Sequence, residues 1–167
     1  SWGGKGFSTT IDSAITRAIY RGATVVVAAG NDSYDAEEFM PANSPGAIVV
    51  GALQFGTSAP QRASYSNYGA GITVSAPGSN ILSLKVANSL MATTNPSNVV
   101  DDHYIKASGT SMAAPHVAGA VALLLAHDPT LTPAQVKHQL SQHSRDLNGR
   151  YGRPGWDAIY GYGALDM

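Results

Sequence analysis

The 167-residue chain predicts an α/β fold: a doubly wound, mostly parallel sheet flanked by helices, in one domain spanning residues 1–167. Two observations carry that expectation. Short, β-branched, uniformly apolar runs, which suit strands buried on both faces of a parallel sheet, alternate with stretches of helical periodicity. No internal repeat or linker-like stretch divides the chain, and its length suffices for one sizeable core.

Residues 8–21 carry Ile11, Ala14, Ile15, Ala18 and Ile19 on one helical face, with Gly22 as the stop. Residues 24–29 form a buried strand, and 48–53 repeat its pattern after a Pro/Asn/Ser/Gly loop. Shorter strands are expected at 72–76 and 81–84. Residues 85–106 read as a polar, irregular connection of unusual length. The stretch 111–127 is nearly all apolar and small, which predicts a helix buried all round. Thr132 as N-cap and Pro133 at the first helical position open a further helix of roughly ten residues. The remainder, 145–167, is Gly- and Tyr-rich and reads mostly as loop.

Composition narrows the function. A net charge of −1 gives no electrostatic reason for a nucleic-acid or anionic-membrane partner. Low charge with 18 Gly and 8 Tyr suits a loop-rich globular protein rather than a disordered or coiled-coil one. The absence of cysteine removes disulfides, thiol nucleophiles and Cys-ligated zinc. The apolar run at 117–126 is too short to span a bilayer. No signal peptide is read in the sequence, and Ser1-Trp2-Gly3-Gly4 has the character of a strand end entering a turn, so the chain is expected to begin inside a domain.

Two segments carry chemistry. In Gly109-Thr110-Ser111-Met112-Ala113-Ala114-Pro115-His116-Val117-Ala118-Gly119, Ser111 stands where the apolar helix begins. Its backbone N–H is free there, and the helix dipole favours developing negative charge. A serine so placed can attack a carbonyl while its own N–H holds the resulting oxyanion; the plainer role is an N-cap. In Val25-Val26-Val27-Ala28-Ala29-Gly30-Asn31, a buried strand delivers an amide at its C-terminal end, where open α/β sheets bind ligands. Asn31 there is either a second oxyanion donor or an ordinary turn residue.

Together these segments resemble the subtilisin family, the subtilases. Residues 109–119 match its nucleophile signature, Ala28-Ala29-Gly30-Asn31 its oxyanion-asparagine strand, and Ser1-Trp2-Gly3-Gly4 its substrate-pairing segment. Arg62-Ala63-Ser64-Tyr65-Ser66-Asn67-Tyr68-Gly69, Ala76-Pro77-Gly78 and Tyr160-Gly161-Tyr162-Gly163 fall in the family's order. The resemblance covers nearly the whole chain except 85 to about 106. It implies a subtilisin-like fold and a secreted serine endopeptidase acting on peptide or protein substrates through an acyl-enzyme, with no cofactor required for chemistry. Ser111 and Asn31 take the catalytic roles; Ser1, Trp2 and Gly3 form an edge for the peptide, and Ala28, Ala29 and Gly30 one wall of the primary pocket.

The family's triad runs Asp, His, Ser, and both earlier members belong upstream of the matching segment. His116 lies five residues past Ser111, ~140° around and ~7.5 Å along a helix, and cannot reach its oxygen. Asp102-His103 has the right order, but neighbours in an extended segment point to opposite sides. His127, His138 and His143 lie at or beyond the far end of the helix. The chain is therefore expected to be the C-terminal part of one peptidase domain, inactive alone, with the N-terminal half carrying Asp and His as its partner. Alone it would expose a sheet edge.

Asp32, Asp35, Glu37 and Glu38 form an acidic loop at the pocket rim, either a preference for basic side chains or a solvated loop. Carbonyls around Ala42, Ser44 and Ala47 align with a cation site of relatives, but Thr73 replaces the carboxylate that completes it. A structural calcium in the whole domain is compatible with the resemblance, and none is assigned to that loop. Two alternatives compete. Serine-carboxyl peptidases share the fold and a Gly-Thr-Ser nucleophile but place an aspartate where Asn31 stands. A non-catalytic scaffold with the subtilase fold would keep Ser111 and Asn31 without a working base.

Overall fold

The computed structural model describes residues 1–56, 59–87, 89–101, 103–147 and 155–166. In chain order the elements are β1 (Gly4–Lys5), α1 (Thr9–Tyr20), β2 (Val26–Ala28), β3 (Phe39–Met40), β4 (Ile48–Gln54), β5 (Gln61–Arg62), β6 (Val74–Pro77), β7 (Ile81–Leu84), α2 (Leu90–Thr94), β8 (Val99–Val100), β9 (Tyr104–Ala107), α3 (Thr110–His127) and α4 (Pro133–His143).

β4 is the centre of the main sheet. It runs parallel to β2 through Val26↔Ile48 and Ala28↔Val50, and parallel to β6 through Val50↔Val74 and Leu53↔Pro77. β5 joins its far end antiparallel. The first six of its seven residues are buried, as a uniformly apolar run between two layers requires. Alternate side chains then feed opposite cores. Ile48, Val50 and Ala52 pack with Ala113, Val117, Val121, Val136 and Leu140 of α3 and α4, while Val49 packs with Val27, Ala29, Ile72 and the half-buried Ile15 of α1. Each fully buried Val or Leu in these layers contributes roughly 1.5–3 kcal/mol.

The helix ends follow from their caps. Ser8 Oγ accepts from the Ile11 N–H at 3.4 Å, and Gly22 ends α1 with φ +92°. Thr132 and Gln135 form a reciprocal capping box at α4, with Pro133 at the start.

Four expectations change. First, apolar composition predicts α3 buried all round, but only its inner side is: Ala113, Ala114, Val117, Ala120 and Val121 are buried, while Pro115, Ala118, Ala122 and Leu123 face outward, Leu123 at 64% exposure. At 18 residues α3 is also long and apolar enough to cross a membrane by length and composition, beyond what the run at 117–126 suggests. Its inner side belongs to the sheet core.

Second, 85–106 is no plain connection. β9 pairs antiparallel with both β7 and β8, a separate small sheet built from the β-branched residues Ile81, Val99, Val100 and Ile105. Third, the strand expected at 72–76 is β6, with Ile72 buried just ahead of it. Fourth, part of the C-terminal stretch joins the sheet: Ala164 bridges Ser75 and Arg145, and the Trp156 indole donates to the Ile72 carbonyl at 2.9 Å.

Candidate active site

β2 ends at Ala28, and the chain turns through Ala29 and Gly30 to present Asn31. α3 begins at Thr110, so Ser111 sits in its first turn. The two meet through Thr110. Its backbone N–H donates to Asn31 Oδ1 at 2.8 Å and its hydroxyl donates to the same oxygen at 2.9 Å. The Gly30 N–H donates to Thr110 Oγ1 at 3.2 Å. An N–H can only donate, so the amide oxygen of Asn31 must face Thr110. The Asn31 NH₂, on an exposed residue, then has no acceptor among the described residues. Among the described residues the Ser111 N–H has no acceptor. Two donors, one on Asn31 and one on Ser111, are available beside a nucleophilic hydroxyl at a helix N-terminus.

The loop before Ser111 is pinned from below. The Gly109 N–H donates to the Gly78 carbonyl at 2.8 Å, and the Tyr65 hydroxyl donates to the same carbonyl at 2.7 Å. A β-carbon on Gly78 would lie 2.6 Å from Ala52 Cβ, so only glycine lets this turn lie against β4. Gly78 therefore helps set the position of the loop before Ser111.

A cavity of about 460 Å³ opens on this arrangement, lined by Trp2, Gly3, Ala28, Ala29, Gly30, Asn31, Thr110 and Ser111, with Gly4, Lys5, Asp32, Phe39 and Met40. It gathers every predicted site residue except Ser1, which is exposed at the chain end and does not line it. The strand in this region is β1, at Gly4–Lys5, paired with β3. A β-carbon on Gly3 would lie 2.6 Å from the Met40 carbonyl oxygen, so Gly3 lets these walls close. Of the acidic rim only Asp32 reaches the cavity, and Lys5, whose ammonium lies 4.6 Å over the Tyr34 ring, lines it too. Asp35 caps the short turn at Ala36–Glu38, its carboxylate accepting from the Glu37 N–H at 3.0 Å.

No described histidine hydrogen-bonds to Ser111. His116 Nδ1 pairs with the Met112 carbonyl at 2.8 Å, back along its own helix. His103 is exposed in the small sheet's loop, and Asp102 lies outside the described residues. A second cavity of about 450 Å³ opens on the other side of Ser111, lined largely by apolar residues including Ile81, Leu84, Met91, Ile105, Met112 and Pro115.

The loop aligned with a cation site is already engaged. Lys137 of α4 donates from Nζ to the Ala47 carbonyl at 2.8 Å, and the Ser44 carbonyl accepts from the Ala47 N–H at 3.4 Å. Thr73 is buried and accepts from the Val49 N–H at 3.2 Å. Calcium wants six to eight oxygens with carboxylates among them, and this set does not fit it. Burial pushes the Lys137 pKa below its ordinary value. Lys137→Met should leave the Ala47 carbonyl without its partner, lower stability by about 1 kcal/mol, and speed amide hydrogen exchange locally at 42–48. Thermal melts and exchange mass spectrometry check both.

Thr110 is the functional residue that motif reading passes over, although it stands inside the quoted signature. Thr110→Val should lower stability by about 1–3 kcal/mol, because the Asn31 amide loses one of two anchors and the Gly30 N–H its acceptor. Thr110→Ser, which keeps the hydroxyl, should recover most of the loss. Thermal melts read this out.

A serine in the first turn of α3 and an asparagine held by Thr110 line one cleft. The chain belongs to the subtilase family, whose family model matches residues 1–163. It is 51% identical over 148 residues to an extracellular protease of Xanthomonas campestris pv. campestris, covering 88% of this chain and 24% of that protein. To an extracellular serine proteinase of a Thermus species it is 47% identical over 137 residues, covering 82% and 30%. The crystal structure of fervidolysin from Fervidobacterium pennivorans, described as a keratinolytic enzyme related to subtilisin, superposes with a TM-score of 0.83 at 36% identity, over 99% of this chain and 25% of that one. A Pseudoalteromonas arctica protease gives 0.79 at 33% identity, over 99% and 47%. The chain thus spans about a quarter of the first of these relatives. The subtilisin-like α/β fold expected from sequence is the one observed.

Proposed function

We propose that the chain is the nucleophile-bearing, C-terminal part of a subtilisin-like serine endopeptidase domain. The observation that carries this reading is the Asn31 amide, held by Thr110 so that its NH₂ and the free Ser111 N–H serve one cleft. In the reaction, Ser111 Oγ forms a bond to the scissile carbonyl carbon while a histidine takes its proton. The oxyanion rests on Asn31 Nδ2 and the Ser111 N–H. The C–N bond then breaks, and the amine leaves with the proton from the histidine. Water, deprotonated by the same histidine, releases the acyl group and restores Ser111. No cofactor enters. An extended peptide lies along Ser1, Trp2 and Gly3, and its primary side chain enters the pocket walled by Ala28, Ala29 and Gly30.

The histidine and its orienting aspartate come from the N-terminal half of the domain, present as a separate or preceding segment. Three features support such a partner. The outward face of α3 is apolar and uncovered, β2 pairs only with β4 among the described residues, and the apolar second cavity flanks Ser111 where a base must stand. Each is surface of a kind that folded domains bury. The names of the relatives support an extracellular site of action.

Mixing this chain with the Asp/His-bearing half tests the reading. Peptide hydrolysis is expected to appear only in the mixture and to saturate at one half per half. A stable complex without hydrolysis would favour the non-catalytic scaffold instead, since no described histidine engages Ser111.

A further inference from the structure

Asn67 has no place in the chemistry above, yet its fully buried side chain brackets the residue that carries the oxyanion donor. Its Nδ2 donates to the Ala29 carbonyl at 2.9 Å. Its Oδ1 accepts from two backbone N–H groups, Asp32 at 2.9 Å and Tyr34 at 3.1 Å. Its own N–H donates to the Gly30 carbonyl at 2.9 Å. The amide orientation is fixed, because both partners of Oδ1 are obligate donors. These four bonds grip the backbone before and after Asn31. Gly30 makes the approach feasible: at φ +103° a β-carbon there would run into the Asn67 amide nitrogen.

We infer that Asn67 is a positioning residue for the oxyanion site, setting the backbone of 29–34 so that Asn31 reaches its donor position. The inference rests on the assignment of Asn31 as an oxyanion donor. The division of labour is physical. Thr110 orients the Asn31 amide from the side chain's end, and Asn67 sets where its Cα stands. An exposed turn of this kind, with Asn31, Asp32, Ser33 and Tyr34 all exposed, has little packing to hold it. Its rigidity comes instead from a buried amide whose hydrogen bonds are shielded from water. Oxyanion stabilisation depends on donors already in place when charge develops, so a loosened turn forfeits transition-state binding in particular. The substrate edge at Trp2 and Gly3 does not pass through Asn67.

The test is a double-mutant cycle in the assembled domain, with rates expressed per active site titrated by a fluorophosphonate so that misfolded protein is not counted. Asn67→Leu keeps the volume and removes the side-chain hydrogen bonds; Asn67→Ser serves if that variant does not fold. Either is expected to lower kcat about 10- to 100-fold while KM changes by less than about threefold. In an Asn31→Ala background the same change should lower kcat by no more than about two- to threefold, because the donor it positions is gone. Undiminished loss in that background, or a variant that loses stability but keeps kcat, overturns the inference. If Asn31→Ala alone leaves kcat intact, the oxyanion assignment has failed, and that outcome is distinct.

Discussion

Ser111→Ala in the assembled domain is expected to lower kcat about 10⁶-fold, with KM nearly unchanged and thermal stability within about 1 kcal/mol of the parent. The magnitude is carried over from the corresponding change in subtilisin itself. The reasons for the pattern lie in this chain. The Ser111 hydroxyl makes no hydrogen bond among the described residues, so its removal leaves no buried partner unsatisfied. Its N–H stays in place in alanine, and so does the Asn31 amide, which Thr110 rather than Ser111 holds. Binding and residual electrostatic stabilisation should therefore survive while the covalent route is lost. Kinetics with a chromogenic peptide, alongside a thermal melt, checks all three parts. Activity retained in Ser111→Ala would remove the serine from the mechanism.

Asn31→Leu is expected to cost about 10²–10³ in kcat, roughly 3–4 kcal/mol of barrier, again a scale taken over from subtilisin's own oxyanion asparagine. Here the substitution has a second consequence. The Thr110 N–H and hydroxyl both donate to Asn31 Oδ1, and Thr110 is fully buried. Leucine strands these donors, adding about 1–3 kcal/mol of instability. Asn31→Asp separates the two effects: it keeps an acceptor for Thr110 but loses the Nδ2 donor. It should retain most of the stability while losing activity to the same degree or further, since a carboxylate repels the oxyanion. A kcat for Asn31→Asp near that of the parent would contradict the donor role.

Local signals made much of the fold legible. The face at Ile11, Ile15 and Ile19 with the stop at Gly22, and the cap at Thr132, placed α1 and α4 within a residue or so of their observed ends. The uniform run at 48–53 marked β4 as a strand buried on both faces; its central place in the sheet came from the structure. The segments at 28–31 and 109–119 could be read because each is contiguous and together they match the subtilase family; alone, each reads equally as a turn asparagine or an N-cap serine.

The remainder depends on distance along the chain. Thr110 meets Asn31 across 79 positions, Lys137 meets Ala47 across 90, and the Asn67 amide meets Ala29 across 38. No local pattern announces such pairs. Asn67 left one trace, a polar residue inside the matching segment 62–69 that no turn requires. The outward face of α3 misled for another reason: composition reports that a helix can be buried on every side, and packing decides whether this chain alone supplies the cover. The β-branched residues of the small sheet were diluted by polar neighbours, so β8 and β9 passed as loop.

The central claim is that Ser111 faces a working oxyanion site and needs a base from a second segment. Labelling with a fluorophosphonate, followed by mass spectrometry of the labelled peptide, tests it most directly. The probe should mark Ser111 stoichiometrically when the Asp/His-bearing half is present and leave the isolated chain essentially unlabelled. Equal labelling of the isolated chain would contradict the need for a partner, and no labelling of the assembled domain would contradict the peptidase assignment itself.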